Sequence, residues 1–390
     1  MKAMRKVPTL PCSPMCGPGF PDALRAASEI AALSPSSHNS QPWALAWLTS
    51  SRARRSAAAL LGGSAADEER EYVALALDRG RQLDSLPAHA VEMLLSCGLY
   101  WQILLRGLAA QGWAVERLRF GDGGERMIDE GWPADWSPLC VAELRPAAAS
   151  DEGLAELRET AGARRTNRAP YREDDVDKAL LESLVAPSTA AAEDAQVTVT
   201  YLRSERDRKR FAGLVARYGG RDFSHDGAWR ETHSYLRRSP AHAAARGDGF
   251  TLTQLFGPMS GPRRLFLRTA LNPATMRVLR FGGYHRILAW RLAAITRPTP
   301  VIVAMGFDGD SPDLATTVRA GARLADYWLR ATRAGLALHP ISVVLQHDDV
   351  RLALQDRFGL PGRTFFVSRL GYPTAEFPRP PHHAAACRTL

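Results

Sequence analysis

Two helical segments about 220 residues apart are similar to each other, and this repeat constrains the fold more than any other feature of the sequence. Gly98–Trp113 (GLYWQILLRGLAAQGW) aligns without gaps with Gly321–Leu336 (GARLADYWLRATRAGL). Both segments have apolar helical periodicity, and each ends in a glycine followed by a large apolar residue, as helix C-termini commonly do. Each also precedes a predicted strand. We therefore expect a duplicated α+β unit.

Length and composition restrict the remaining choices. The chain has 390 residues, enough for two modest domains or one large one. Its longest uncharged apolar run, Met93–Leu105, has 13 residues, whereas a membrane span needs roughly 20. This run predicts a core helix, and we expect no membrane partner. No apolar segment typical of a secretory leader follows the basic residues near the N-terminus, so we expect a cytoplasmic protein.

The cysteines and the charge add little about partners. Five scattered cysteines, including the lone pair Cys12 and Cys16, predict reduced thiols and no metal site. The net charge is +9, and 46 of the 50 basic residues are arginines. Arginine suits forked recognition of carboxylate and phosphate, but a GC-rich genome also enriches it. We find no basic stretch in the sequence that is interleaved with aromatic residues expected to be exposed. We therefore expect no nucleic-acid partner.

Two polar motifs are candidates for a binding site. The run Pro35–Trp43 (PSSHNSQPW) places hydroxyl, imidazole and amide groups in a loop stiffened by prolines, which could serve a flat heterocycle. Its alternative interpretation is an ordinary helix end and turn. Arg164–Arg168 (RRTNR) follows a predicted helix and would suit a phosphate monoester. The alternative there is a solvated basic turn.

Taken together, the two motifs resemble those of the nitroreductase family, PSSHNSQPW its signature loop and RRTNR its arginine-rich FMN motif. The C-terminal half adds similar segments at Ala320–Leu336, His339–Val344 (HPISVV) and Ser368–Pro373 (SRLGYP). Ordinary members carry the arginine motif before the signature loop, whereas here it follows about 120 residues later. The chain therefore resembles the long, internally duplicated Acg-type branch, over roughly residues 20–375.

This resemblance implies an α+β, nitroreductase-like fold of two fused half-domains forming a pseudo-dimer, with central antiparallel sheets flanked by helices. We expect an irregular arm over residues 1–20 and a first half over 21–150 that carries the signature loop. A second half over 151–375 would carry RRTNR and a covering insertion, or lid, over 218–297, followed by a tail over 376–390. The chain would be a monomeric pseudo-dimer or a homodimer.

The resemblance also implies roles for individual residues toward FMN. Arg164 and Arg168 would face the phosphate or the N1–C2=O edge of the flavin, and Thr166 would bond phosphate or ribityl oxygens. Arg165 would face phosphate or be structural, and His38 is taken as a loop residue. The isoalloxazine and ribityl groups would be approached by Ser36, Ser37, Asn39 and Gln41. The flavin edge would pass Gly335 and Leu336, and the phosphate pocket would be closed by Arg369.

The function implied is that of an FMN-dependent oxidoreductase acting on a small-molecule or carrier-bound substrate. It would either reduce nitro or quinone-like acceptors with NAD(P)H as reductant or dehydrogenate a substrate in a biosynthetic pathway. Substrate contacts are expected from the lid, whose proton donors and acceptors include His225, His233 and Tyr235. The alternative is a non-catalytic flavin-binding or storage protein of the Acg type.

Overall fold

A computed structural model describes residues 18–63, 69–122, 127–128, 131–186 and 197–390. Most of the predicted N-terminal arm, with Cys12 and Cys16, lies outside these described residues. The strands are β1 Trp43–Trp47, β2 Glu71–Asp78, β3 Trp113–Phe120, β4 Trp136–Pro146, β5 Val197–Leu202, β6 Leu236–Arg237, β7 Phe250–Thr251, β8 Val301–Phe307, β9 Ala337–Pro340, β10 Arg363–Gly371 and β11 Arg388–Thr389.

The α-helices are α1 Phe20–Ala31, α2 Ser51–Leu60, α3 His89–Ala109, α4 Leu154–Ala163, α5 Lys178–Val185, α6 Glu205–Tyr218, α7 Gly220–Ser224, α8 Asp226–Ser234, α9 Pro240–Arg246, α10 Leu252–Phe256, α11 Gly261–Ala270, α12 Pro273–Leu279, α13 Tyr284–Thr296, α14 Leu314–Arg333 and α15 Asp348–Phe358. Short 3-10 helices cover Ser37–Asn39, Arg79–Arg81, Arg280–Gly282 and Ser342–Val344. No helix within the described ranges has both the length and the apolar character to cross a bilayer.

Two antiparallel sheets repeat the same strand order. The first sheet is ordered β1-β2-β4-β3 and the second β5-β8-β10-β9, and every pair of neighbours within these orders is antiparallel. In each half a central strand leads into the long helix, α3 or α14, and then into the last two strands. The first sheet gains one more edge strand, β11, which runs parallel to β1. The repeated order confirms the predicted α+β fold of two fused halves.

The long helices α3 and α14 meet at two glycines. A Cβ atom on Gly98 would lie 2.0 Å from the carbonyl oxygen of Val318 and 3.0 Å from the Cα atom of Gly321. A Cβ atom on Gly321 would lie 2.3 Å from the carbonyl oxygen of Leu95. Because the two glycines are equivalent in the internal alignment, equivalent residues touch each other, as a two-fold interface requires. The helices therefore pack backbone against backbone at this crossing.

One apolar core joins the two halves. It includes side chains from both sheets and from both long helices, such as Leu75, Ile103, Val303 and Leu329. Strand β8 is buried along its whole length, as its continuous apolar sequence predicts. The polar bridge between the helices is buried as well, since Arg106 on α3 lies 2.8 Å from the carboxylate of Asp326 on α14.

The lid segment, residues 218–297, has little regular hydrophobic periodicity and yet is mostly helical. It comprises α7 to α13 and a two-stranded parallel sheet of β6 and β7. The helices are short, from 5 residues in α7 to 13 in α13, and much of their surface is exposed. Short exposed helices bury too few residues to show a clear 3.6-residue period.

We predict that Gly98→Ala destabilises the protein by about 1–3 kcal/mol or more, because the new methyl group must separate two backbones in contact. Chemical denaturation with far-UV circular dichroism measures the change. Gly213→Ala is the matched control: this glycine also lies inside a helix, α6, but nothing lies within 4 Å of the added Cβ. The control should gain roughly 0.5–1 kcal/mol. Equal stability of Gly98→Ala and the unsubstituted protein would contradict the crossing.

Candidate functional site

A cavity of about 220 Å³ lies between the two halves. Its walls come from the loop before β1, the first half of α3, the segment after α4, the middle of α14, the loop after β9 and strand β10. The polar wall residues include Ser36, Ser37, His38, Glu92, Ser96, Thr166, Arg168 and Ser342. Apolar walls are contributed by Leu95, Leu99, Leu324, Trp328, Leu345, Phe365, Phe366 and Val367. The cavity thus brings together the two sequence motifs that lie about 120 residues apart.

The loop before β1 is held in an unusual backbone conformation. His38, Asn39 and Gln41 have φ angles of 52°, 53° and 53°, in the left-handed region that non-glycine residues seldom occupy. Within the loop, the Gln41 backbone N–H donates to Ser36 Oγ at 2.9 Å. Such residues cost about 1–3 kcal/mol each and persist where surrounding contacts hold them.

Those contacts come from the amide side chains of the same loop. Asn39 Nδ2 donates to the carbonyl oxygens of Gly249 at 3.1 Å and Pro381 at 2.8 Å. Gln41 Nε2 donates to the carbonyl oxygen of Gly247 at 2.8 Å, and Gln41 Oε1 accepts from the backbone N–H of His383 at 2.9 Å. Both amides are absent from the cavity wall. They join the loop to the lid and the C-terminal tail, and their predicted contacts with flavin stay predictions.

Arg168 contributes a cation to the cavity wall. Burial lowers the pKa of its guanidinium to about 10, and Tyr171 opposes this shift. Its one ring contact is with Phe250, whose centroid lies 6.0 Å from Arg168 Cζ. Among the residues that the structure describes, no carboxylate forms an ion pair with it. A half-buried cation of this kind favours an anionic group beside it.

Arg164 and Arg165 lie next to the cavity but not in its wall. Arg164 is buried, stacks over the Trp328 ring at 5.2 Å and donates to the carbonyl oxygen of Leu33 at 3.1 Å. Burial, followed by the charges of Arg379 and Arg165, lowers the pKa of Arg164 to about 9. Arg165 forms an ion pair with Glu376 at 2.6 Å. Arg164 therefore supports the cavity from behind one of its aromatic walls.

Arg369 is fully buried and bonded within the protein. Its Nε donates to Thr299 Oγ1 at 2.7 Å, one Nη lies 3.1 Å from His339 Nδ1, and the other donates to the Ala169 carbonyl oxygen at 3.2 Å. Its Cζ atom also lies 4.2 Å from the Tyr171 ring centroid. These contacts fasten the segment after RRTNR to β10 and so help position Arg168.

The remaining C-terminal candidates also lie outside the cavity wall. Gly335, with φ of 73°, follows the C-terminal end of α14, and Leu336 packs in the core. The structure does not bring either residue, or Arg369, to the cavity. Their roles toward flavin stay predictions.

Sequence analysis missed the carboxyl group in the cavity. Glu92 accepts hydrogen bonds from Ser37 Oγ at 2.5 Å and Gln346 Nε2 at 2.7 Å. Burial raises the pKa of Glu92, although the charge of His89 opposes the rise. The available signal was the position of Glu92, immediately before the uncharged run of α3.

His38 brings an imidazole to the same cavity. Burial, followed by the charge of His89, lowers the pKa of His38 to about 4, so the ring is neutral at neutral pH. Its Nε2 lies 3.3 Å from Thr232 Oγ1, and its ring stacks on Tyr235 with 6.1 Å between centroids. Tyr235, one of the predicted lid candidates, therefore contacts a cavity residue without lining the cavity itself.

Two contacts between a histidine and a carboxylate connect the lid to this side of the cavity. His89 Nδ1 lies 3.0 Å from Glu231 Oε2, and His347 Nε2 lies 3.0 Å from Asp222 Oδ1. Burial alone would lower the pKa of His89, but the neighbouring carboxylates, Glu231 foremost, raise it. Within the described ranges, no three His, Cys, Asp or Glu side chains are arranged to hold a metal ion. The lid thus contributes carboxylates beside the cavity.

The two predicted lid histidines lie elsewhere. The imidazole Nδ1 of His225 accepts a hydrogen bond from the backbone N–H of Ala228 at 3.1 Å and so caps α8. His233 lies near the end of the same helix, and burial lowers its pKa. Neither histidine lines the cavity.

Two relatives align with this chain over about nine-tenths of both sequences. No family model matches the chain. It is 31% identical over 355 residues to "Probable NAD(P)H nitroreductase PigM" from Serratia sp. (strain ATCC 39006), covering 90% of this chain and 89% of that protein. It is 24% identical over 367 residues to "Putative NAD(P)H nitroreductase acg" from Mycobacterium tuberculosis H37Rv, covering 92% of each.

Among solved structures, a "putative nitroreductase" from Anabaena variabilis aligns with this chain with a TM-score of 0.47 at 11% identity. The alignment covers 87% of this chain and 82% of that one. The sequence match to PigM, extending over nine-tenths of both proteins, agrees with the resemblance carried by the two motifs. The chain belongs to the NAD(P)H nitroreductase family, in the long branch that includes acg.

Proposed function

We propose that this protein is an FMN-dependent oxidoreductase that transfers hydride or electrons between the flavin and a small-molecule or carrier-bound substrate. The observation that carries the proposal is the cavity between the halves, where hydroxyl groups of one motif share a wall with Arg168 of the other, which forms no ion pair with any described residue. Because a single chain supplies both motifs, the site needs no second copy. The buried thiols Cys97 and Cys140 are compatible with a reducing cytoplasm.

The residues of the cavity fit FMN in chemistry. Ser36, Ser37 and Thr166 supply neutral donors and acceptors for the ring or the ribityl chain. Arg168 supplies a positive charge for the phosphate or for the ring edge that becomes negative on reduction. Phe365 and Trp328 supply apolar surface for a flat ring system. FMN, when bound, supplies the hydride and electron chemistry.

The chain itself supplies groups for moving a proton. Hydride transfer changes the charge of the substrate, so a proton must be delivered to it or removed from it. Glu92 lines the cavity with a raised pKa and retains its proton to a higher pH than an ordinary glutamate. His38 also lines the cavity, and its imidazole is neutral at neutral pH. We assign Glu92 as the proton donor in the reductive direction and as the acceptor in the opposite one.

These acid–base groups favour catalysis over flavin storage, because storage has no need of a carboxyl group with a raised pKa in the cavity wall. NAD(P)H is the reductant that the names of the relatives suggest. We propose reduction of nitro or quinone-like acceptors as the first activity to assay, and dehydrogenation of a biosynthetic substrate as the second.

FMN binding tests the proposed function directly. The purified protein should show the visible absorbance of bound flavin or should acquire it when FMN is added. Arg168→Ala should weaken FMN binding to the apoprotein at least about ten-fold, because a charge-assisted contact is lost. Fluorescence quenching of FMN measures the dissociation constant.

Arg172→Ala is the control, since Arg172 is an exposed arginine outside the cavity wall. It should leave the dissociation constant unchanged. A folded protein that neither contains nor binds FMN would refute the proposal.

We predict that Glu92→Gln lowers kcat about 10²-fold or more for acceptor reduction, the usual contribution of a general acid. In the unsubstituted enzyme kcat should fall as pH rises through the raised pKa of Glu92, and Glu92→Gln should lose this dependence. Steady-state assays across pH measure both effects. Glu159→Gln, at an exposed position on α4, should change neither. An unaltered pH profile in Glu92→Gln, with FMN affinity retained, would remove Glu92 from the mechanism.

A further inference from the structure

The lid and the strand that follows it contain a long stretch without acidic residues. Between Asp248 and Asp308 the sequence has no Asp or Glu, and it contains eight arginines. The net charge of the entire chain is +9. The net positive charge of this stretch alone is therefore almost as large as that of the whole protein. Seven of the eight, from Arg263 to Arg291, lie on or between the helices α11 to α13.

The same helices expose large apolar side chains. Of the eight exposed large hydrophobic residues in the described parts of the chain, seven lie in this stretch, and the other is Leu352 on α15. Phe281 is 83% exposed and Trp290 is 66% exposed. The most exposed apolar side chains here are Leu265, Phe266, Val278, Phe281 and Trp290, with Ile287 less so.

The exposed side chains are on the outer sides of helices that pack in series, α11 against α12 and α12 against α13. Ile287 and Trp290 are three residues apart on α13 and therefore share one face. Residues between them in the helical pattern, such as Ala289, are buried against the protein. We call the six exposed apolar residues and the arginines between them the lid surface. Apolar and cationic groups thus occur together, with no carboxylate in the sequence among them.

We propose that the lid surface docks the protein peripherally on an anionic lipid bilayer. Large apolar side chains that are mostly exposed to solvent can bury themselves in a fluid acyl layer, which needs no preformed pockets. Arginines between them would meet lipid phosphates, and tryptophan favours the boundary between water and lipid. The charge of the stretch is complementary to such a membrane, except at Arg277, which forms an ion pair with Asp226 on α8 at 3.0 Å.

Nucleic acid fits the same surface less well. The lid surface does interleave arginines with exposed aromatic residues, which sequence analysis did not anticipate. Bases stack on aromatic rings, but Leu265, Val278 and Ile287 offer no ring for stacking. The expectation of no membrane partner was based on the sequence having neither an apolar run long enough to span a bilayer nor a segment typical of a secretory leader. A peripheral contact with the membrane surface needs neither of them.

Vesicle sedimentation tests the proposal with the full-length protein. It should bind vesicles of phosphatidylcholine containing phosphatidylglycerol, and bind vesicles of phosphatidylcholine alone at least ten-fold more weakly. Raising the salt should weaken binding to the anionic vesicles. The double variant Phe281→Ser, Trp290→Ser should bind at least ten-fold more weakly, and Arg286→Ala, which removes an exposed arginine of the lid surface, about five-fold more weakly.

Matched controls distinguish vesicle binding by the lid surface from nonspecific hydrophobic or electrostatic binding elsewhere on the protein. Leu352→Ser removes an exposed leucine elsewhere, and Arg55→Ala removes an exposed arginine on α2; both should bind as the unsubstituted protein does. Thermal melts should be unchanged in all variants because the replaced side chains are exposed. Three outcomes would overturn the proposal: no binding to anionic vesicles, equal loss in the controls, or a lid-surface variant that instead dissociates a homodimer or abolishes binding to an oligonucleotide.

Discussion

The contact between α3 and α14 at Gly98 and Gly321 is the constraint on which the rest of the molecule depends. Without side chains at these positions the helix backbones approach each other closely, and residues on both helices then contribute to one core with both sheets. The cavity lies beside this crossing, with Glu92, Ser96 and Leu99 from α3 and Leu324 and Trp328 from α14. A site shared by two halves is thus a direct result of how closely two helices can pack.

The loop before β1 shows how the site is held in place. His38 and Gln41 adopt backbone conformations that side chains disfavour, and the amides of Asn39 and Gln41 offset this cost with bonds to the lid and the C-terminal tail. Lid, tail and signature loop are therefore mechanically connected. A displacement of the lid would therefore also displace His38, whose ring contacts Tyr235 from that segment.

Sequence reasoning succeeded where local pattern determines structure. The apolar periodicity of α3 and α14, the continuous apolar run of β8 and the glycines at the ends of both helices predict those elements and the duplication. The two motifs that carry the family resemblance both contribute to the wall of one cavity, through residues such as Ser36 and Arg168.

It failed where a contact joins residues distant in the chain. The pairing of His89 on α3 with Glu231 joins the first half to the lid, and nothing local to either residue indicates it. The internal contacts of Arg369 illustrate the same limit, because its partners Thr299 and the Ala169 carbonyl oxygen lie 70 and 200 residues away in the chain.

The two halves keep the same strand order but no longer carry the same site. In the alignment that pairs Gly98 with Gly321, Ala315 stands at the position of Glu92, and Arg319 at that of Ser96. Arg319 lies over the ring of Phe120 at 4.8 Å. In a symmetric dimer of identical chains, every substitution appears twice and alters both sites together. In a fused chain each substitution affects only one of the two equivalent positions. One site can therefore accumulate substitutions that suit a single substrate, while the equivalent site in the other half can be lost without affecting it.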